Sequence, residues 1–114
     1  MPTFAFIGFD HPPHSMALRD KHRPEHRAYV KSNDQMLRFA GAFYDNDGNQ
    51  CGTLIISEAD DAEQVWNWFR SEPFFRNGVY KDTHVIEWRL ALNQFDLAGW
   101  AQSYPGTLRQ DSTS

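Results

Sequence analysis

Bulky apolar residues crowd positions 3–9 (Thr-Phe-Ala-Phe-Ile-Gly-Phe) and stop at Asp-His-Pro-Pro, whose prolines cannot continue a sheet; the window predicts a first strand. Residues 15–34 carry a helical pattern interrupted by Pro24, which lacks an amide donor and disfavours the α region for Arg23. The expectation there is two short helical pieces, or one kinked helix restarting with Pro24 in its first turn. Residues 36–44 are again apolar and aromatic, and the Asp47-Gly48 pair inside 45–49 marks a hairpin turn into a strand over 52–58. Asp60 followed by Glu63 resembles a capping box, after which Ala62, Val65, Trp66 and Phe69 recur at i, i+3, i+4 and i+7, one apolar stripe of a helix. Pro73 ends that helix, Asn77-Gly78 makes a turn, and alternation over 79–92 predicts the last strand.

The order is therefore βαββαβ, an α+β arrangement of the ferredoxin-like kind, with two helices over one face of a four-stranded antiparallel sheet. The other face keeps several apolar residues. A patch of that size on a small chain marks an interface, so a homodimer closed around a two-fold axis is expected. Residues 1–95 form the domain in this reading. Residues 96–114 form an extension packed at its start, where Trp100 lies, and loose over its last four positions.

Composition adds limits rather than a function. With 114 residues, 40% of them hydrophobic and 23% charged, the chain fits one ordinary globular domain. No stretch is long and apolar enough for a membrane span, and the first nine residues lack the basic start of a signal peptide. A single cysteine, Cys51, cannot form an internal disulfide; together these features point to the cytoplasm, with no membrane partner. The net charge of −4 argues against nucleic acid. It is unevenly spread: residues 1–40 hold six Lys/Arg against four Asp/Glu, and the rest five against eleven. Either the early segment is a solvated basic face, or it shapes a pocket for a small anionic molecule.

Several short elements, taken in order, resemble the YciI-like (YCII-related) family. Arg23-Pro24-Glu25-His26 matches its Arg-Pro-x-His element, and Ala40-Gly41 with the Asp47-Gly48 turn is similar to its Ala-Gly-Pro and acidic-Gly hairpin. Glu72-Pro73-Phe74 followed by Asn77-Gly78-Val79-Tyr80 resembles its Asp-Pro-aromatic segment and the Ala-Gly-Val-Tyr/Phe after it. The likeness spans about residues 3 to 90. It departs where Ala42 replaces a proline, where Glu72 replaces the usual Asp, and where residues 91–114 run past the shared region. The resemblance implies a dimeric α+β barrel with a cleft near the Arg-Pro-x-His helix. For one branch it implies dehydrochlorinase chemistry using a His–Asp acid/base pair, which by motif falls on His26 and Asp10.

Such a pair has a clear chemical logic. A carboxylate accepting from one imidazole nitrogen fixes the tautomer and raises the basicity of the other, giving a base suited to neutral pH. This supports elimination or isomerisation with no cofactor. Arg19, Arg23 and His26 fall at i, i+4 and i+7, so a continuous helix would align them, and either arginine could hold a substrate anion. His22 and His26, at i and i+4, could grip a metal, but Pro24 between them and the lack of a following Glu argue for no metal site. Phe74 and Tyr80 are candidates to line an aromatic pocket or simply to pack. Cys51 reads as a bystander. The leading expectation is a cofactor-free lyase or isomerase acting on a small anionic cyclic or aromatic substrate. A non-catalytic dimeric module that binds a small molecule remains the alternative, marked by a His26 without a carboxylate partner.

Overall fold

The computed structural model describes residues 1–95, so the expected extension over 96–114 lies outside the described residues. Seven elements follow in order: β1 (Thr3–Asp10), α1 (Met16–Ser32), β2 (Leu37–Tyr44), β3 (Gln50–Glu58), α2 (Ala62–Arg70), α3 (Pro73–Arg76) and β4 (Tyr80–Glu87). The strands form one antiparallel sheet in the order β2-β3-β1-β4, the ferredoxin-like arrangement.

Alternation along β1 divides its side chains between two faces. Phe4 and Phe6 point toward the helices, where they join Ile55, Ala59, Val65 and Phe69 in the core. Phe6 stacks on Phe69 with ring centroids 3.5 Å apart. Burying large aromatic rings here is the main driving force available to so short a chain. Gly8 continues the same face, and its missing side chain admits the Tyr80 ring: a Cβ there would lie 2.8 Å from Tyr80 Cδ1.

α1 is one continuous helix through Pro24, which corrects the expected interruption. A proline inside a helix costs about 3 kcal/mol or more. The helix persists because contacts on both sides of the proline hold it against the domain. Arg19 binds Asp10 and Arg23 donates to Gln50 Oε1 before and at the break; His26 meets Glu72 and the Tyr29 hydroxyl donates to the Trp68 carbonyl beyond it. At its start, Ser15 Oγ donates to the Val79 carbonyl at 2.7 Å, fastening the helix to the chain just before β4.

The hairpin follows its turn signal: Asp45 Oδ1 accepts from the amides of Asp47 and Asn49, both at 2.9 Å, and Gly48 takes φ +82°. The cap of α2 lies one residue later than the sequence suggests. Asp61, not Asp60, accepts from the Gln64 amide at 3.0 Å, while Gln64 Oε1 accepts from the Asp60 amide at 2.7 Å. Nor does Pro73 simply end that helix. Ser71 closes α2, and Pro73 opens α3 behind the capping residue Glu72. β4 stops at Glu87, short of the expected residue 92.

Directly opposed residues share a face, so the register places Ala5, Ile7, Phe9, Leu54, Ile56, Phe39, Phe43 and Ile86 together on the side away from the helices. Phe9, Phe39 and Ile86 are 48%, 42% and 55% exposed there. Phe9 and Phe43 stack at 6.0 Å across this surface.

Candidate functional site

The inner face of α1 presents Arg19, Arg23 and His26 to three different neighbours, and each neighbour gives its residue a different character. Arg19 reaches the sheet. Its Nε donates to Asp10 Oδ2 at 2.7 Å and its Nη2 to Asp10 Oδ1 at 2.8 Å and Thr53 Oγ1 at 3.1 Å. The two side chains are 2% and 0% exposed. Burial, the largest influence, would lower the Arg19 pKa; the hydrogen bond and charge of Asp10, together with Tyr80 and Cys51, outweigh it, and the net direction is upward. This guanidinium stays charged and committed.

Asp10 is correspondingly unavailable to His26. Besides the Arg19 fork, its Oδ2 accepts from the Ser15 amide at 3.2 Å. The expected His26–Asp10 hydrogen bond is therefore corrected: an arginine two turns earlier on the same helix takes the carboxylate first. Arg19 is likewise corrected from a substrate-binding group to the buried half of an ion pair.

The imidazole finds another carboxylate. His26 Nδ1 is hydrogen-bonded to Glu72 Oε1, while Glu72 Oε2 accepts from the Phe75 amide at 3.0 Å as the cap of α3. Glu72 is 1% exposed at its side chain and His26 is 21% exposed. The carboxylate thus sits behind the ring, and the ring retains a partly open side. In a neutral ring, a proton on Nδ1 shared with Glu72 leaves the lone pair on Nε2. Glu72 also raises the pKa of Tyr29 and of Tyr80, in each case after burial as the larger cause.

Phe74 and Tyr80 both pack against protein groups. The Phe74 ring is buried and lies parallel to the His26 ring at 3.9 Å. Tyr80 donates its hydroxyl to Thr53 Oγ1 at 2.8 Å, and burial raises its pKa far enough to keep that proton in place. Arg23 is the more open arginine: its side chain is 26% exposed, pairs with Asp20, and donates from Nη2 to Gln50 Oε1 at 2.8 Å. His22 turns to Glu25, 3.5 Å away, and so does not share a site with His26.

Sequence reasoning missed Glu72 as the partner of the imidazole. Besides its place in the acidic-Pro-aromatic segment, its signal was the acidic residue immediately before Pro73, a capping pattern that opens a new helix and aims a carboxylate back across α1.

A dehydrochlorinase for 5-chloro-2-hydroxyhydroquinone from Burkholderia phenoliruptrix AC1100, solved with 2,5-dihydroxybenzoquinone, is similar over 78% of this chain and 95% of its own, with TM-score 0.69 and 22% identity. An antibiotic biosynthesis monooxygenase is similar over 81% of this chain and all of its own, with TM-score 0.49 and 19% identity. At 22% identity the likeness to the dehydrochlorinase is one of fold. No curated protein sequence matches the chain. The YCII-related domain pattern matches residues 3–89, most of the described chain, and with the fold above this makes the protein a member of the YCII-related domain family.

Proposed function

We propose that this protein is a lyase or isomerase in which His26 moves protons, Glu72 orients it, and Arg23 holds the anionic oxygen of a small hydroxylated ring. The observation that carries the reading is the buried Glu72 carboxylate on Nδ1 of a partly open imidazole. This is the arrangement that leaves one basic nitrogen facing outward. Arg23, one turn earlier on the same helix, supplies a charge that a phenolate can meet.

The dehydrochlorinase that shares the fold suggests the substrate class: chlorinated hydroxyhydroquinones and related hydroxylated rings. Loss of HCl from such a ring balances internally. One phenolic proton moves to the carbon bearing chlorine, a second leaves oxygen as chloride departs, and two C–O bonds become carbonyls. A base that takes a proton from oxygen and returns it to carbon is sufficient, so the chemistry needs no cofactor or external oxidant. The presence of a carboxylate on His26 favours this reading over a purely binding module.

A second copy of the chain, in our reading, covers the apolar side of the sheet. Three large apolar side chains half-exposed on one face are costly in water and suit a two-fold interface. The work would be done in the cytoplasm, where Cys51 stays reduced. Sedimentation at micromolar concentration tests the assembly: a dimer is expected, and a monomer at all concentrations rejects it. For the activity, chloride release from 5-chloro-2-hydroxyhydroquinone is measured for the protein and for His26→Ala. Release that falls at least a hundredfold in the variant supports the assignment; equal release, or none by the unaltered protein, rejects it for this substrate class.

A further inference from the structure

A hydrogen bond at Nδ1 fixes one direction of an imidazole but leaves the ring free to rock about that bond, since the outer torsion of histidine is broad. In this protein the rocking is opposed by Phe74. The two rings are nearly parallel, with an interplanar angle of 4° and centroids 3.9 Å apart. Phe74 is itself 3% exposed, so it cannot move aside into solvent. The same ring lies 5.2 Å from Arg19 Cζ, so one aromatic side chain touches both Arg19 and His26, two turns apart on α1. Arg19 is in turn held by Asp10 and Thr53, Thr53 by the Tyr80 hydroxyl, and the Tyr80 ring by the space that Gly8 leaves open. A continuous packed series therefore runs from the sheet to the imidazole.

We propose that Phe74 is a positioning residue that sets the plane of the His26 ring, and that the Arg19–Asp10 pair sets the position of Phe74. Glu72 governs which nitrogen is basic; Phe74 governs where that nitrogen points. The inference rests on the reading of His26 as the reacting base for its functional meaning, but its geometric content is testable without any activity.

The experiment is NMR of the His26 ring protons in the full chain, assigned by their loss in His26→Gln. Ring current from Phe74 holds these signals upfield. Phe74→Leu moves them downfield and Phe74→Tyr leaves them near their original place. Arg19→Lys, which keeps the charge but loses the fork, moves them in the same direction by less. Should Arg19→Lys fail to fold by circular dichroism, Thr53→Val, which removes the third acceptor of Arg19, is read instead and is expected to act alike. Unmoved signals in Phe74→Leu overturn the role of Phe74. Signals that respond to Phe74→Leu but to neither Arg19→Lys nor Thr53→Val overturn the link to the ion pair. On an active protein, Phe74→Leu lowers kcat by on the order of tenfold or more with KM little changed, and Phe74→Tyr restores it; a KM effect alone contradicts positioning. A protein without dehydrochlorinase activity contradicts the proposed function and leaves the NMR result standing.

Discussion

Two acid–base pairs sit on the inner face of α1, and they differ in one respect that decides what each can do. In Arg19–Asp10 both side chains are sealed, at 2% and 0% exposure; in His26–Glu72 the carboxylate is sealed but the imidazole is 21% exposed. The first pair uses every strong contact it has on protein groups. The second leaves a nitrogen uncommitted. A buried pair with excellent geometry fixes a helix on a sheet, whereas a half-buried one holds a reactive group still while leaving it reachable.

The largest effect that would break this contrast is expected at Asp10. Asp10→Ala strands the Arg19 guanidinium in the interior and should destabilise the protein by about 3–5 kcal/mol, measured by urea unfolding. A change below about 1 kcal/mol would mean that the pair is not the clamp described. Glu72→Gln should show the opposite balance: a smaller stability loss, with turnover lowered about a hundredfold because the partner of Nδ1 loses its charge. If the two substitutions affect stability and turnover alike, the distinction fails.

Tyr80 sharpens the contrast through pH. Burial, followed by the charge of Glu72, raises its folded pKa above the ordinary value of 10.0. A raised folded value means that the unfolded chain releases the proton first. The associated stability is complete below about pH 10 and is lost as pH rises beyond it. Unfolding free energy should fall with alkaline pH, and Tyr80→Phe should flatten that fall while costing about 1 kcal/mol at neutral pH for the lost hydrogen bond to Thr53. An unchanged alkaline slope would count against it. The smallest effect is expected far from both pairs: Asp61→Ala should cost about 1 kcal/mol in thermal unfolding and Asp60→Ala clearly less, because only Asp61 caps α2 with its side chain.

Those last two residues also show where sequence reading succeeds and where it stops. The acidic pair and the apolar stripe after it announce α2, but choosing between neighbouring aspartates depends on backbone angles that residue type does not specify. The first strand, the Asp47-Gly48 hairpin and the order of elements were legible because each rests on local chemistry: alternation, turn residues and helical spacing. The continuity of α1 was not, because Pro24 is overruled by anchors that arrive from Asp10, Gln50, Glu72 and Trp68. The site divided in the same way. His26 was singled out by the Arg-Pro-x-His resemblance and Arg23 by its spacing from it, whereas the partner of His26 lies 46 residues away and reaches it only because α3 starts where it does. Asp10, directly after β1, was the carboxylate that the family resemblance implied, yet Arg19 has the geometry to claim it twice over.

The central claim is that Glu72, rather than Asp10, holds His26 with Nε2 as the free base. The most direct test is the ¹⁵N spectrum of the neutral His26 imidazole in the native protein, in Glu72→Gln and in Asp10→Asn. The account predicts a protonated Nδ1 and a bare Nε2, disturbed by the change at Glu72 and left in the same tautomer by the change at Asp10. A proton on Nε2 in the native protein, or a spectrum that responds to Asp10→Asn and ignores Glu72→Gln, would contradict it.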